Sequence, residues 1–376
     1  MGDNAAGSAP TRVQAAVDRL VADGGEVGLQ VAVIHRGGLV VDAVSGLADA
    51  EQGLPVTPHT LFFAASTAKG VASAVAHVLV ERGELTYDLR VADVWPEFAA
   101  HGKGGVTLRH VLMHTAGVPA PPYTTTAEDL CDWDRMCDAL ADAEPWWEPG
   151  TRFGYHAQTF GFLLGETVRR ATGRSLSWWL RAVVTGPLGV EDDVHFGVAP
   201  ALLGRVARQE PAIGPPSAPE PGSPADRAVP PGIRASAALA NRRDVLTSDI
   251  PSQGTMSARG AARVFAGLLG HTGVPLVSPA RLAELARPAF EGPDEVMGMQ
   301  ASWAFGFSPQ RPSGVPSRAG SAFGMLGANG SGAWADIDSG VAVAVLRNRF
   351  SPDWTVVGRI DRLVAELFPT PPRGEI

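Results

Sequence analysis

Apolar positions change their period several times along this chain, and each change marks an element. Over residues 11–24, Val13, Ala16, Val17, Leu20 and Val21 recur three and four apart, which predicts an amphipathic helix stopped by a Gly-Gly pair. Two runs rich in β-formers follow, Leu29–Ile34 and Leu39–Val44, flanking His35-Arg36-Gly37-Gly38; this reads as a β-hairpin. From Ser66 to about residue 245 the spacing is mostly helical, as in 71–82, 108–113, 127–141, 160–172 and 176–184. Strand patterns return at 304–308, 332–337 and 341–347, before a last helix over 355–367. An N-terminal hairpin and C-terminal strands then have to share one antiparallel sheet, with helices from both chain ends packed on it. The expected fold class is α/β in the α+β sense. Residues 1–65 and 246–376 form a discontinuous sheet domain, and 66–245 a mainly helical insertion. Such an arrangement places a cleft between the two parts.

Eight prolines lie between Pro211 and Pro231, among Ala, Ser and Gly. That composition opposes helix and central strand, so 211–231 is expected to be a long loop, in the first place a solvated connector and in the second a rim or lid of the cleft. With 45% hydrophobic and 19% charged residues in 376, the chain has the make-up of a globular protein. A net charge of −8, with no cluster of Lys and Arg, excludes a nucleic-acid footprint. No apolar run has the length of a membrane span, and Met1–Ser8 carries neither a basic nor an apolar leader segment, so a cytoplasmic protein is expected. Cys131 and Cys137, six apart in one helical pattern, suit neither a metal site nor an intrahelical disulfide.

The chemistry centres on Ser66-Thr67-Ala68-Lys69, where an apolar lead-in delivers a serine to the start of a small-residue helix. A spacing of three puts Lys69 beside Ser66 on one helical face. A serine hydroxyl needs a neighbour to take its proton, and a desolvated lysine can do so. The helix N-terminus adds backbone N–H groups where an oxyanion would develop. A second segment, Trp146–Glu166, runs through Pro149-Gly150 and a short aromatic stretch to Tyr155 and a glycine-punctuated helix. With Gly83–Val91 and Val106–Val118, these segments resemble the serine β-lactamase and penicillin-binding-protein superfamily, most closely its class C-like esterases and acyltransferases, over about residues 11–367.

The resemblance implies a β-lactamase-like fold in which Ser66 is acylated while Lys69 and Tyr155 handle its proton. It also assigns an oxyanion hole to the backbone N–H groups of Ser66 and Ala328. Where penicillin-recognising members carry an Asn after the tyrosine, this chain has Ala157, and Met325-Leu326-Gly327 stands where they have Lys-Thr-Gly or His-Thr-Gly. Those changes remove groups that bind an amide and a carboxylate. Met325, Leu326, Gly327, Ala157 and Trp303 are accordingly expected to line the substrate site, with Trp334 a further apolar contact. An arginine from the proline-rich loop is the cation that could alter this picture.

His156 reads as a packing residue. His110 and His114 have a helical metal spacing but lack the following Glu of a zinc motif. No G-x-S-x-G elbow occurs, and Asn329-Gly330-Ser331-Gly332 is too short for a phosphate loop. Neither a cofactor nor a metal is implied. The expected activity is hydrolysis of a small carboxylic ester or amide through an acyl-Ser66 intermediate. Acyl transfer to an alcohol or amine is the alternative, and a non-turnover binding or sensor domain a third reading.

Overall fold

The computed structural model describes residues 7–214 and 218–371. A six-stranded sheet organises them. The strands are β1 (Gly28–His35), β2 (Gly38–Asp49) and β3 (Leu54–Pro55) from the N-terminal part, and β4 (Ala322–Leu326), β5 (Gly332–Asp336) and β6 (Val341–Arg347) from the C-terminal part. Their order is β4-β5-β6-β1-β2-β3, antiparallel throughout. β1 and β2 join through a two-residue turn whose Arg36 (φ 48°) and Gly37 (φ 87°) are both left-handed, as the twist of a tight hairpin requires. A Cβ on Gly37 would lie 1.8 Å from the His271 carbonyl oxygen, so only glycine fits.

Side chains alternate across the sheet with a period of two. Leu29, Val31 and Val33, with Val341, Val343 and Val345, meet the terminal helices α1 (Ala9–Ala22) and α2 (Thr355–Leu367) through Val13, Val17, Val357, Ile360 and Val364. The other face turns Ala32, Ala333, Ala335, Ala342 and Ala344 toward the larger core. Alanines there admit the helices Ala258–Leu268 and Thr67–Glu81 close to the strands.

Several expectations need correction. Residues 304–308 form only isolated bridges, Ala304 to Phe307 and Ser308 to Gly324. The strand beside β5 is Ala322–Leu326 instead, where Gly324 hides the strand pattern; a Cβ there would meet Trp334 Cβ at 2.4 Å. The helix expected over 127–141 breaks at Cys131, and Asp132 caps the second part by accepting from the Arg135 N–H. The helical region also contributes Val194–His195, which joins Phe62–Phe63 and Thr255–Met256 in a small sheet. Within the proline-rich segment, Pro224–Ala228 is a short helix: Ser223 caps it, and Pro224 occupies a first-turn position where its missing N–H has no consequence. No helix of the described residues is long and apolar enough to cross a membrane.

Candidate active site

Phe62–Phe63 is the strand that delivers Ser66. The Ala64 N–H donates to the Gly254 carbonyl at 2.7 Å, and Ala65 then takes a left-handed φ of 45°, which is strained for alanine. The helix Thr67–Glu81 begins there, with Ser66 at its cap position. Ser66 does not cap it: the side chain makes no bond to the helix N–H groups. Its Oγ instead lies 2.9 Å from Lys69 Nζ, which also donates to the Ser252 carbonyl at 3.0 Å.

Lys69 is 1% exposed and has no carboxylate partner among the described residues. Desolvation pushes its pKa down to about 7. Tyr155 is half-buried, with its ring centroid 5.3 Å from Lys69 Nζ. Burial pushes the phenol well up; contact with the Ser66 hydroxyl pulls it partly back, and the Asp294 carboxylate adds to the rise. At neutral pH the phenol therefore keeps its proton, whereas the lysine releases its own readily. Asp294 fixes the tyrosine backbone, its Oδ1 accepting from the N–H groups of Tyr155 (3.1 Å), Val296 (2.8 Å) and Met297 (3.0 Å).

His156 does pack. Its Nδ1 donates to the Gly154 carbonyl at 2.6 Å and its Nε2 accepts from the Val118 N–H at 3.1 Å. His110 Nδ1 accepts from the Thr107 N–H at the start of its own helix, and His114 Nδ1 accepts from the His156 N–H across 42 residues, tying its segment to the one that carries Tyr155.

The end of β4 approaches Ser66 from the opposite side. A Cβ on Gly327 would lie 2.4 Å from the Ala64 carbonyl oxygen, so glycine is what permits the approach. Asn329 secures it, donating from Nδ2 to the Phe63 carbonyl at 2.7 Å and to Ser331 Oγ at 3.0 Å. Ser66 and Ala328 both line the cleft, and neither backbone N–H has a backbone acceptor among the described residues.

The remaining expectations divide. Ala157 lines the cleft. Met325, 4% exposed, packs in the core against Gly70, and Leu326 turns to the other face of the sheet beside Val357 and Gly332. Gly327 serves the backbone approach and is not part of the wall. Trp303 is buried behind Tyr155 (6.0 Å between ring centroids), with its Nε1 donating to the Leu112 carbonyl at 3.1 Å. Trp334 lies under α2, where its Nε1 donates to Asp361 at 2.9 Å. These four side chains therefore sit outside a substrate wall. In a β-strand, neighbouring side chains point to opposite faces, and here both faces of β4 are covered.

The cleft, ≈ 530 Å³, is walled instead by groups with no sequence signal: Phe350, Met297 and Arg234, and from the proline-rich segment Pro211, Pro219 and Ala225. That segment is thus a rim of the cleft, the second of its two expected roles. Gln158, one residue past Ala157, also lines it; its Oε1 accepts from Gln253 Nε2 at 3.1 Å and its Nε2 donates to the Ile233 carbonyl at 3.3 Å.

A helix-borne serine with a desolvated lysine one turn on, a protonated tyrosine beside both and two unengaged backbone donors defines the class of serine acyl-transfer sites. The beta-lactamase family model matches residues 13–366, and the chain belongs to that family. It is 29% identical over 345 residues to the esterase/beta-lactamase LipL of Mycobacterium tuberculosis, covering 85% of this chain and 76% of that one. Among solved structures it is similar to a family VIII carboxylesterase (32% identity, TM-score 0.84, 96% of this chain and 98% of that one). A penicillin-binding protein homolog from Caulobacter crescentus is equally similar (33% identity, TM-score 0.85, 96% and 99%).

Proposed function

We propose that this protein is a serine carboxylic-ester hydrolase that works through an ester on Ser66. The observation that carries the reading is the buried Lys69 ammonium, 2.9 Å from Ser66 Oγ and lowered to about 7 by desolvation. Relatives named as esterases support it. In the proposed cycle, neutral Lys69 takes the Ser66 proton as Oγ bonds to the ester carbon, and the carbonyl electron pair moves onto oxygen between the N–H groups of Ser66 and Ala328. Collapse breaks the bond to the alkoxide, which leaves as an alcohol with the proton from Lys69 passed through the Tyr155 hydroxyl. Water then attacks the acyl-Ser66 carbon by the same steps in reverse. Tyr155 acts as a neutral relay and Lys69 as the base.

The walls are largely Ala, Pro, Val and Phe side chains, which supports a neutral, small ester as substrate. They also favour, as a second reading, transfer of the acyl group to an alcohol or amine, since water is held poorly there. The division into a sheet part, 1–65 and 246–376, and a helical part, 66–245, belongs to the same proposal, as does a cytoplasmic location, which the free thiols of Cys131 and Cys137 support. The test is a panel of p-nitrophenyl esters followed for burst and steady state, with fluorophosphonate labelling read by intact-protein mass spectrometry. Steady turnover with one adduct at Ser66 is expected. Turnover stimulated by added alcohol would favour the transferase, and a burst without turnover the sensor. An adduct that survives Ser66→Ala rejects the nucleophile.

A further inference from the structure

Arg234 supplies the charged side chain of the cleft wall, and its bonding is incomplete. Nη2 donates to Asp226 Oδ1 at 2.6 Å and to the Val229 carbonyl at 3.4 Å. Nε is buried without a partner among the described residues, and no bond from Nη1 is found among them. Nη1 is not sealed from the cleft as Nε is, so a bound group can accept from it, and a hydrogen bond from a charged donor gains affinity.

Asp226 belongs to the short helix Pro224–Ala228, whose Ala225 lines the same cleft. It is 4% exposed and also accepts from the Gly222 N–H at 2.9 Å and the Tyr123 hydroxyl at 3.1 Å. The Arg234–Asp226 pair is therefore held from several sides and carries no net charge. Arg227, the arginine of the proline-rich segment itself, stacks over Trp146 at 4.5 Å in a separate basin outside the cleft. The cation that reaches the cleft is thus a neighbour of that segment and already has a counter-ion.

We infer that Arg234 is the specificity-determining residue of this cleft: it donates a hydrogen bond to an uncharged oxygen of the substrate, a ketone, amide or ether away from the scissile ester, while Asp226 beside it opposes a carboxylate at the same place. The inference rests on the ester-hydrolase reading and narrows its substrates to neutral esters with a second acceptor oxygen. A carboxylate there would lose its hydration and meet the Asp226 charge as well as the Arg234 one, whereas a neutral carbonyl meets only the donor.

The experiment uses esters in matched sets: a chain with a ketone at successive positions, its methylene isostere, and a carboxylate-bearing analogue. At one position the wild type should favour the ketone over the methylene by about tenfold to a hundredfold in kcat/KM, the range of a hydrogen bond to a charged donor. Arg234→Met should reduce that ratio to near unity, and Arg234→Lys should restore part of it. Asp226→Asn keeps one oxygen to accept from both Gly222 and Tyr123 but removes the charge and the acceptor of Arg234, and should raise the carboxylate analogue about tenfold relative to the ketone. Calorimetry of non-hydrolysable ketone and methylene analogues on Ser66→Ala should show the same preference in binding. If the preference appears there while no ester is turned over, the hydrolase reading fails and the role of Arg234 stands. A ketone-to-methylene ratio unchanged by Arg234→Met, or a carboxylate ratio unchanged by Asp226→Asn, overturns the inference; the second comparison decides if Arg234→Met does not fold.

Discussion

A lysine sealed from water with a serine hydroxyl and a main-chain carbonyl as its partners loses affinity for its proton, because nothing nearby replaces the lost hydration. For Lys69 the consequence is a pKa of about 7, and kcat/KM for a neutral ester should rise with pH through that value and level off above it. No fall near pH 10 is expected from Tyr155, whose burial keeps it protonated there. Lys69→Arg, always charged, and Tyr155→Phe should each lower kcat by about 10²–10⁴, with the double variant little worse than the poorer single one if they serve one proton. Multiplicative losses in steady-state kinetics would sink the relay. The same shift bears on stability. The unfolded chain holds the lysine proton up to about 10.5 while the folded one releases it near 7, so Lys69 destabilises the fold fully below pH 7 and progressively less as pH rises to 10.5. Lys69→Met should therefore gain about 1–2 kcal/mol in urea unfolding at pH 7, and little at pH 10.5. From Ser66 and Lys69 alone the pair was legible, and so was Tyr155 once its segment was matched. Which of the two bases is shifted was not, because that depends on the Ser252 carbonyl and on burial supplied by distant segments.

Around the serine, elements meet through small residues, and there the sequence misleads most. Gly324, Gly327 and Gly330 make the β4–β5 region look like a loop, yet they mark where strand, helix and neighbouring backbone touch. Motif position alone assigns Met325 and Leu326 to the cleft wall; the alternation of a strand covered on both sides assigns them to packing instead. Gly327→Ala tests the contact that matters, because its Cβ would press the Ala64 carbonyl and move the Ala328 N–H away from Ser66. A loss of about 10²–10³ in kcat with KM nearly unchanged is expected, the signature of a missing oxyanion donor; an equal rise in KM would point to a wider collapse. In the helical part, Glu166 is fully buried. Burial alone would raise its carboxyl, but hydrogen bonds from Arg169, Arg170 and Trp133 hold it down at about 2. Its contribution to stability is present above the ordinary carboxylate range and is lost as pH falls toward 2. Glu166→Ala should cost roughly 2 kcal/mol in urea unfolding at pH 7, less than a fully buried pair because both arginines are partly solvated.

On the scale of the molecule, the hairpin, the two last strands of the sheet and both terminal helices were legible because period-two and period-3.6 patterns survive wherever one face meets a core, whereas Ala322–Leu326 was not. The cleft wall was not, since Arg234, Phe350 and Pro219 reach it through tertiary path alone. The sheet that carries everything else has its own history. Strand β6 pairs with β1 from Leu29–Arg347 to His35–Val341 and lies between β5 and β1, so the middle of the sheet is the part made last. While the ribosome adds the residues between, β1 presents Val31, Ala32, Val33 and Ile34 along an unpaired edge. The ends of the finished fold offer a way to shorten that wait, for Arg12 on α1 meets Glu366 on α2 at 3.3 Å. A permuted chain that starts at the exposed Val274 and links residue 371 to residue 7 through a Gly/Ser tether makes all six strands close neighbours in sequence. It should refold from urea faster and scatter less light than the natural order while keeping its ester kcat/KM. Equal rates would mean that something other than the long sequence separation of β1 and β6, such as proline isomerisation, sets the pace of folding.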